Sequence, residues 1–134
     1  MTTRKRILLV DDEPLTLQML TDIFRASGFE ILTAQDGAEG LARARAERPD
    51  LLILDIMMPK LDGFKVARLL KSDRNYRHIP IIILTAKAGA ADSELSRQAG
   101  ADRHLLKPID PEVLLEQVKR LLEAAPDGRP EDRR

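Results

Sequence analysis

A chain of 134 residues and 15.0 kDa suits one domain with a single core and has no room for a second. At 43% hydrophobic and 33% charged residues, with no cysteine and only two histidines, it excludes membrane spans, disulfides, thiolate chemistry and an ordinary zinc centre. Lys plus Arg balances Asp plus Glu at 22 each and aromatics reach only 3%, so neither a global field nor a stacking surface favours direct nucleic-acid binding.

The basic start, Met-Thr-Thr-Arg-Lys-Arg, precedes an apolar run too short for a signal-peptide core, so a cytoplasmic protein is expected. That run, Ile7-Leu8-Leu9-Val10, reads as a buried strand and meets Asp11-Asp12 abruptly. Pro14 opens a helix in which Leu17, Leu20 and Phe24 recur at helical spacing until Gly28. Phe29 to Ala34 is a second strand. Asp36-Gly37 starts a helix through Ala38, Leu41 and Ala42 that stops before Pro49.

Leu51-Leu52-Ile53-Leu54 is a third strand, ending in Asp55. After the loop Met58 to Gly63, Phe64, Ala67, Leu70 and Lys71 lie on a helix that gives way to the polar stretch Ser72 to Arg77. Pro80 introduces the fourth strand, Ile81-Ile82-Ile83-Leu84, which meets Thr85. A short helix around Ser93 to Ala99, with Leu95 as its one large apolar residue, is closed by Gly100. Arg103 to Leu106 is the last strand. Asp110-Pro111 caps a final helix whose Leu114, Val118, Leu121 and Leu122 face the core. Asp62 reads as a further helix cap, Gly63 and Gly100 as turn residues, and His78 as part of a solvated loop.

Five strands alternating with five helices predict an α/β fold, a doubly wound parallel sheet with right-handed crossovers. The domain covers residues 1–124, and 125–134, without apolar periodicity, reads as a disordered tail.

In such a sheet, ligands bind outside the carboxyl ends of the strands. Asp11, Asp12, Asp55, Thr85 and Lys107 all stand at such ends, and three carboxylates crowded together call for a cation. Taken singly, Asp11 and Asp12 read equally well as caps of the Pro14 helix, Asp55 as a strand-to-loop residue, and Lys107 as a solvated lysine. Together, ILLVDDEP, LLILDIMMPKLDG, IIILTA and HLLKPID resemble the receiver domain of two-component response regulators, from roughly Arg4 to Glu123.

The resemblance implies a flavodoxin-like (βα)5 fold with strand order 2-1-3-4-5. It implies that Asp55 is the nucleophile that accepts a phosphoryl group, and that Asp11, Asp12, Asp55 and the backbone carbonyl of Met57 hold Mg2+. Such chemistry needs an in-line nucleophile, a cation for the equatorial oxygens and preplaced donors. Lys107 then offers an ammonium and Thr85 a hydroxyl to the phosphoryl oxygens, with Ala86 leaving space beside them. A cis Lys107-Pro108 bond is implied as well.

The family's switch places an aromatic ring three residues before the lysine, and here that position is His104, whose smaller ring can carry charge near pH 6.5. Phosphorylation is expected to reshape the surface of the fourth helix, last strand and last helix, the small residues 86–91 and the short helix after them being the moving part. Met57 and Lys87, each two residues beyond Asp55 and Thr85, occupy positions that in similar proteins govern water's access to the aspartyl phosphate; neither offers water a base or amide at neutral pH, so the resemblance implies a long-lived phosphoryl group.

The sequence reading is thus a stand-alone switch, not an enzyme in the usual sense. It takes its phosphoryl group from a histidine kinase or histidine phosphotransfer protein, passes its state to a downstream protein, and has a surface for a phosphorylation-dependent homodimer. Two competitors stand beside it. A haloacid-dehalogenase-type phosphohydrolase shares the strand-end aspartate and Mg2+, but its pattern has a second Asp where this chain has Met57. The other is a phosphorylation-independent interaction module. Neither a GxGxxG loop nor a P-loop is present, which excludes the nucleotide-binding reading.

Overall fold

The computed structural model describes residues 4–56, 61–85 and 98–124. The aliphatic runs form strands β1 (Arg6–Val10), β3 (Leu51–Asp55) and β4 (Ile81–Thr85), joined by β2 (Glu30–Ala34) and β5 (Arg103–Leu106). All pairings are parallel and the order is β2-β1-β3-β4-β5, the doubly wound, flavodoxin-like order expected.

Continuous apolarity follows from burial on both faces. Ile7, Leu9, Leu51, Ile53, Ile82 and Leu84 point to one side, and Leu8, Val10, Leu52, Leu54, Ile81 and Ile83 to the other. The first set is covered by helix α1 (Pro14–Ala26), through Leu17, Leu20 and Phe24, and by the C-terminal helix α4 (Pro111–Ala124), through Leu114, Val118 and Leu121. The second is covered by α2 (Gly37–Glu47) and α3 (Gly63–Lys71), through Ala44, Val66, Ala67 and Leu70. Each large aliphatic side chain buried this way contributes about 1.5–3 kcal/mol, so a charge placed mid-strand on either face would break the fold.

Helix ends follow their local chemistry. Pro14 opens α1, and Gly28, at φ 96°, lets the chain turn back after Ser27. Asp36 Oδ1 accepts from Glu39 N at 2.8 Å, Asp62 Oδ1 from Lys65 N at 2.9 Å, and Asp110 Oδ1 from Glu112 N at 2.9 Å. Gly100, at φ 74°, follows the helical residues Gln98 and Ala99, as a closing glycine should. Four helices are seen among the described residues. The body of the expected helix around Ser93, and the tail 125–134, lie outside them.

Several local expectations are corrected. Phe29 is not in the β2 ladder; it packs on Phe24, ring centroids 6.0 Å apart. On α2, Ala38 and Ala42 are exposed, and the inward residues are Gly37, Gly40 and Ala44. The reason is close approach: a Cβ on Gly40 would sit 2.8 Å from Val10 Cγ1, and one on Gly37 would sit 1.6 Å from the Leu61 carbonyl oxygen. Gly63 is likewise no turn residue. It is the first residue of α3, where a Cβ would lie 2.6 Å from the carbonyl oxygen of Asp55. His78 is half-buried rather than solvated.

Candidate functional site

Register places the polar ends of four strands along one edge. Val10 pairs with Leu54, so Asp11 and Asp55 each stand one residue beyond that pair. Asp55 pairs with Leu84, and Thr85 with Leu106, so Thr85 and Lys107 continue the row across β4 and β5. One strand order thus converges residues that are far apart in sequence.

The acidic centre is mostly buried. Asp11 and Asp55 are each 4% exposed and Thr85 1%, while Asp12 lies exposed at the rim. Asp11, Asp12 and Asp55 can each bring a carboxylate oxygen within 4.8 Å of the other two. Such all-oxygen donors, converging from three carboxylates, match a hard divalent cation and not a thiolate- or imidazole-seeking metal.

Lys107 Nζ reaches into this cluster, 3.2 Å from Asp11 Oδ2 and 3.4 Å from Asp55 Oδ2. Its backbone N donates to the Thr85 carbonyl at 2.8 Å, fixing where the side chain starts, and the Lys107-Pro108 bond is cis as expected. Burial of the ammonium pushes its pKa down, but the Asp11 and Asp55 carboxylates outweigh that, and the net result lies above the usual lysine value. Lys107 is therefore a fixed positive charge at every physiological pH.

Asp11 uses its two oxygens differently. Its Oδ1 accepts from Glu13 N at 2.9 Å at the entrance to α1, while its Oδ2 takes the Lys107 ammonium. The Asp11 backbone N–H, donating to Ala34 O at 3.1 Å, ties the same residue to the end of β2. His104 sits in β5 opposite Ile83 and is partly buried. Met57, Ala86 and Lys87 lie outside the described residues. Gly63 was missed as a site-shaping residue. The signal was a glycine directly after a capping aspartate, easily taken for a turn.

A sequence model of the response regulator receiver domain matches residues 7–119. The chain belongs to that family. It is 41% identical over 118 residues to the DNA-binding response regulator MtrA of Mycolicibacterium smegmatis, covering 88% of this chain but only 50% of that protein. This receiver therefore spans about half the length of MtrA. It is 40% identical over 117 residues to protein PilH of Pseudomonas aeruginosa, covering 87% of this chain and 97% of PilH. Among solved structures, the response regulator TrrA of Thermotoga maritima, crystallised in complex with Mg(2+)-BeF, superposes with a TM-score of 0.81 at 37% identity, covering 88% of this receiver and 99% of that chain. Among the described residues no helix is long and apolar enough to cross a membrane.

Proposed function

We propose that this receiver, taken as residues 1–124, is a phosphorylation switch in which Asp55 accepts a phosphoryl group from a phosphohistidine on a histidine kinase or phosphotransfer protein. The single observation that carries the reading is the buried Asp55 carboxylate with the Lys107 ammonium 3.4 Å away and Asp11 and Asp12 beside it. Membership in the receiver family and the likeness to a protein crystallised with Mg(2+)-BeF support it.

Asp55 attacks phosphorus through a carboxylate oxygen. The O–P bond forms as the N–P bond of the donor breaks, and the leaving imidazole keeps the electron pair and takes up a proton. Asp11 and Asp12 are the residues that would hold Mg2+, joined by Asp55 and the carbonyl of Met57. When bound, the ion supplies positive charge to the transferring oxygens. Lys107 is already close enough to Asp55 to meet an oxygen added there, so its ammonium needs little reorganisation. Thr85, one residue beyond the Asp55 partner Leu84, is the residue of the neighbouring strand whose hydroxyl would donate to the phosphoryl group in this reading. His104, further along β5, is proposed as the residue that responds, and the surface of the expected fourth helix, β5 and α4 as the one that relays the state to a partner.

Incubation with acetyl phosphate, or beryllium fluoride as its mimic, in the presence of Mg2+ tests this reading beside an Asp55→Asn control. One phosphoryl group per chain, located at Asp55 by mass spectrometry and absent from the control, is expected. Equal labelling of both proteins, or none of the wild type, refutes it. Sustained release of many equivalents of phosphate from a small ester would instead favour the phosphohydrolase.

A further inference from the structure

The end of the sheet opposite Asp55 carries a second charged feature that phosphoryl transfer does not use. Because α2 and α3 run back against the strands, their last residues gather at the amino edge, where β3 and β4 begin. Two arginines, Arg45 and Arg48, stand at the end of α2, one helical turn apart. Two more, Arg74 and Arg77, stand in the tight turn after α3, held by Arg77 N donating to Asp73 O at 2.8 Å. Tyr76 joins the two pairs: its hydroxyl donates to the Arg45 carbonyl at 3.4 Å, and the Arg48 guanidinium lies over its ring, 5.2 Å from the centroid. Arg48 adopts a left-handed backbone, φ 49°, which costs a non-glycine residue roughly 1 kcal/mol or more. The stacked tyrosine holds it there.

All four of these arginines are exposed. Four other arginines are engaged, Arg6 with Glu47, Arg43 with the Thr33 carbonyl, Arg103 with Gln117 and Arg120 with Glu116, while Arg25 and Arg68 are exposed singly on α1 and α3. Among the described residues, the side chains of Arg45, Arg48, Arg74 and Arg77 donate to no carboxylate or carbonyl. The acids beside them in sequence each have a partner. Glu47 takes the Arg6 guanidinium, Asp50 Oδ2 accepts from Arg6 N at 2.8 Å, and Asp73 Oδ1 accepts from Asn75 N at 2.9 Å. Asp50 and Asp73 keep their charge, since a backbone N–H does not neutralise a carboxylate, but four guanidiniums against these two carboxylates still leave a local positive excess on this corner of a chain of zero net charge.

We propose that Arg45, Arg48, Arg74 and Arg77, gathered around Tyr76, form a docking surface for an acidic protein segment. Guanidinium forks match carboxylates two bonds at a time, which a lysine patch cannot do. A membrane surface fits less well, since among the described residues the large exposed apolar side chains Leu15, Met19, Leu106 and Val113 belong to other elements, which leaves Leu69, in the last turn of α3, as a single apolar residue near this corner. A single-stranded nucleic acid fits less well too, because the one tyrosine ring is already covered by Arg48. Lying at the far end of the sheet from Asp55, the surface is available in both phosphorylation states, so it suits a constitutive tether and not the switched output.

The test uses the full chain, with a glutamate-rich peptide as probe, followed by amide chemical shifts. Shifts should centre on residues 45–48 and 73–77, affinity should fall about tenfold between low and physiological salt, and an Arg45→Glu, Arg77→Glu double variant should lose binding by about tenfold or more. An Arg45→Lys, Arg77→Lys variant, which keeps the charge and loses the fork, should bind at an intermediate level. Saturation with beryllium fluoride and Mg2+ should leave the affinity unchanged, and the double variant should be modified at Asp55 like the wild type, which separates this proposal from the one above. Absence of these shifts, binding insensitive to the double variant, or preference for anionic vesicles or duplex DNA over the peptide overturns it.

Discussion

Lys107 Nζ lies 3.4 Å from Asp55 Oδ2, although Lys107 follows directly on β5 and Asp55 ends β3, strands that do not pair. The lysine crosses the end of β4 to neutralise a carboxylate that burial would otherwise penalise. Lys107→Met therefore leaves Asp11 and Asp55 facing each other without a cation. The expected cost is about 3 kcal/mol in urea unfolding without divalent ions. Saturating Mg2+ should return most of it, since a ligand at about a hundred times its Kd contributes about 2.7 kcal/mol. An unchanged unfolding midpoint in the absence of metal contradicts the prediction.

The same pair sets an alkaline limit. Burial lowers the Lys107 pKa, but Asp11 and Asp55 raise it further, so the folded value exceeds the unfolded one. A lysine of this kind contributes its stability in full below the unfolded pKa and loses it as pH rises through the folded value. Stability should therefore decline above about pH 10 with a proton-linked slope that Lys107→Met lacks. Urea midpoints of both proteins across that range decide it.

Two glycines should respond very differently to the same substitution. At Gly28 nothing lies within 4 Å of an added Cβ, so Gly28→Ala pays only for φ 96°, roughly 1 kcal/mol. At Gly37 the new atom meets the Leu61 backbone, which cannot swing away as a side chain could, so Gly37→Ala should cost about 3 kcal/mol or more. Equal thermal midpoints for the two variants would be evidence against this packing.

Phosphoryl lifetime is a separate expectation, resting on Met57 and Lys87, which lack a group able to activate water. Label on Asp55 should outlast manual mixing when no phosphatase is present. Met57→Glu should shorten its lifetime by roughly tenfold or more, since a positioned general base accelerates such steps. Rapid loss from the wild type contradicts it.

For His104, ring resonances should shift when beryllium fluoride and Mg2+ are added, and should not shift in Asp55→Asn. Identical ring environments in both states remove it from the switch.

Strand identity was readable because aliphatic runs buried on both faces have few alternatives once helices alternate with them, and the strand-end positions of Asp55 and Thr85 followed from those runs; the order of the strands came from the family resemblance, since the runs alone do not say which strand lies beside which. The inward face of α2 was not readable, since hydrophobic periodicity points to Ala38 and Ala42, while the fold selects Gly37 and Gly40 for lacking a side chain. The double duty of Asp11 was hidden for a related reason. Capping and ion pairing call for the same residue type, and only three-dimensional geometry shows that its two oxygens face different ways. Nor does sequence reveal which arginines find acids: Arg6 and Arg48 look alike in the chain, yet one is bound to Glu47 and the other stacks on a ring.

That divided carboxylate has a mechanical corollary. With one oxygen gripping Glu13, the residue just before α1, and the other gripping Lys107, Asp11 works as a crank between the pocket and the start of that helix. Any step that draws the ammonium toward newly added oxygen atoms slackens one arm of the crank. The α1 entrance then feels chemistry carried out at the end of the neighbouring strand, with no rearrangement of the sheet.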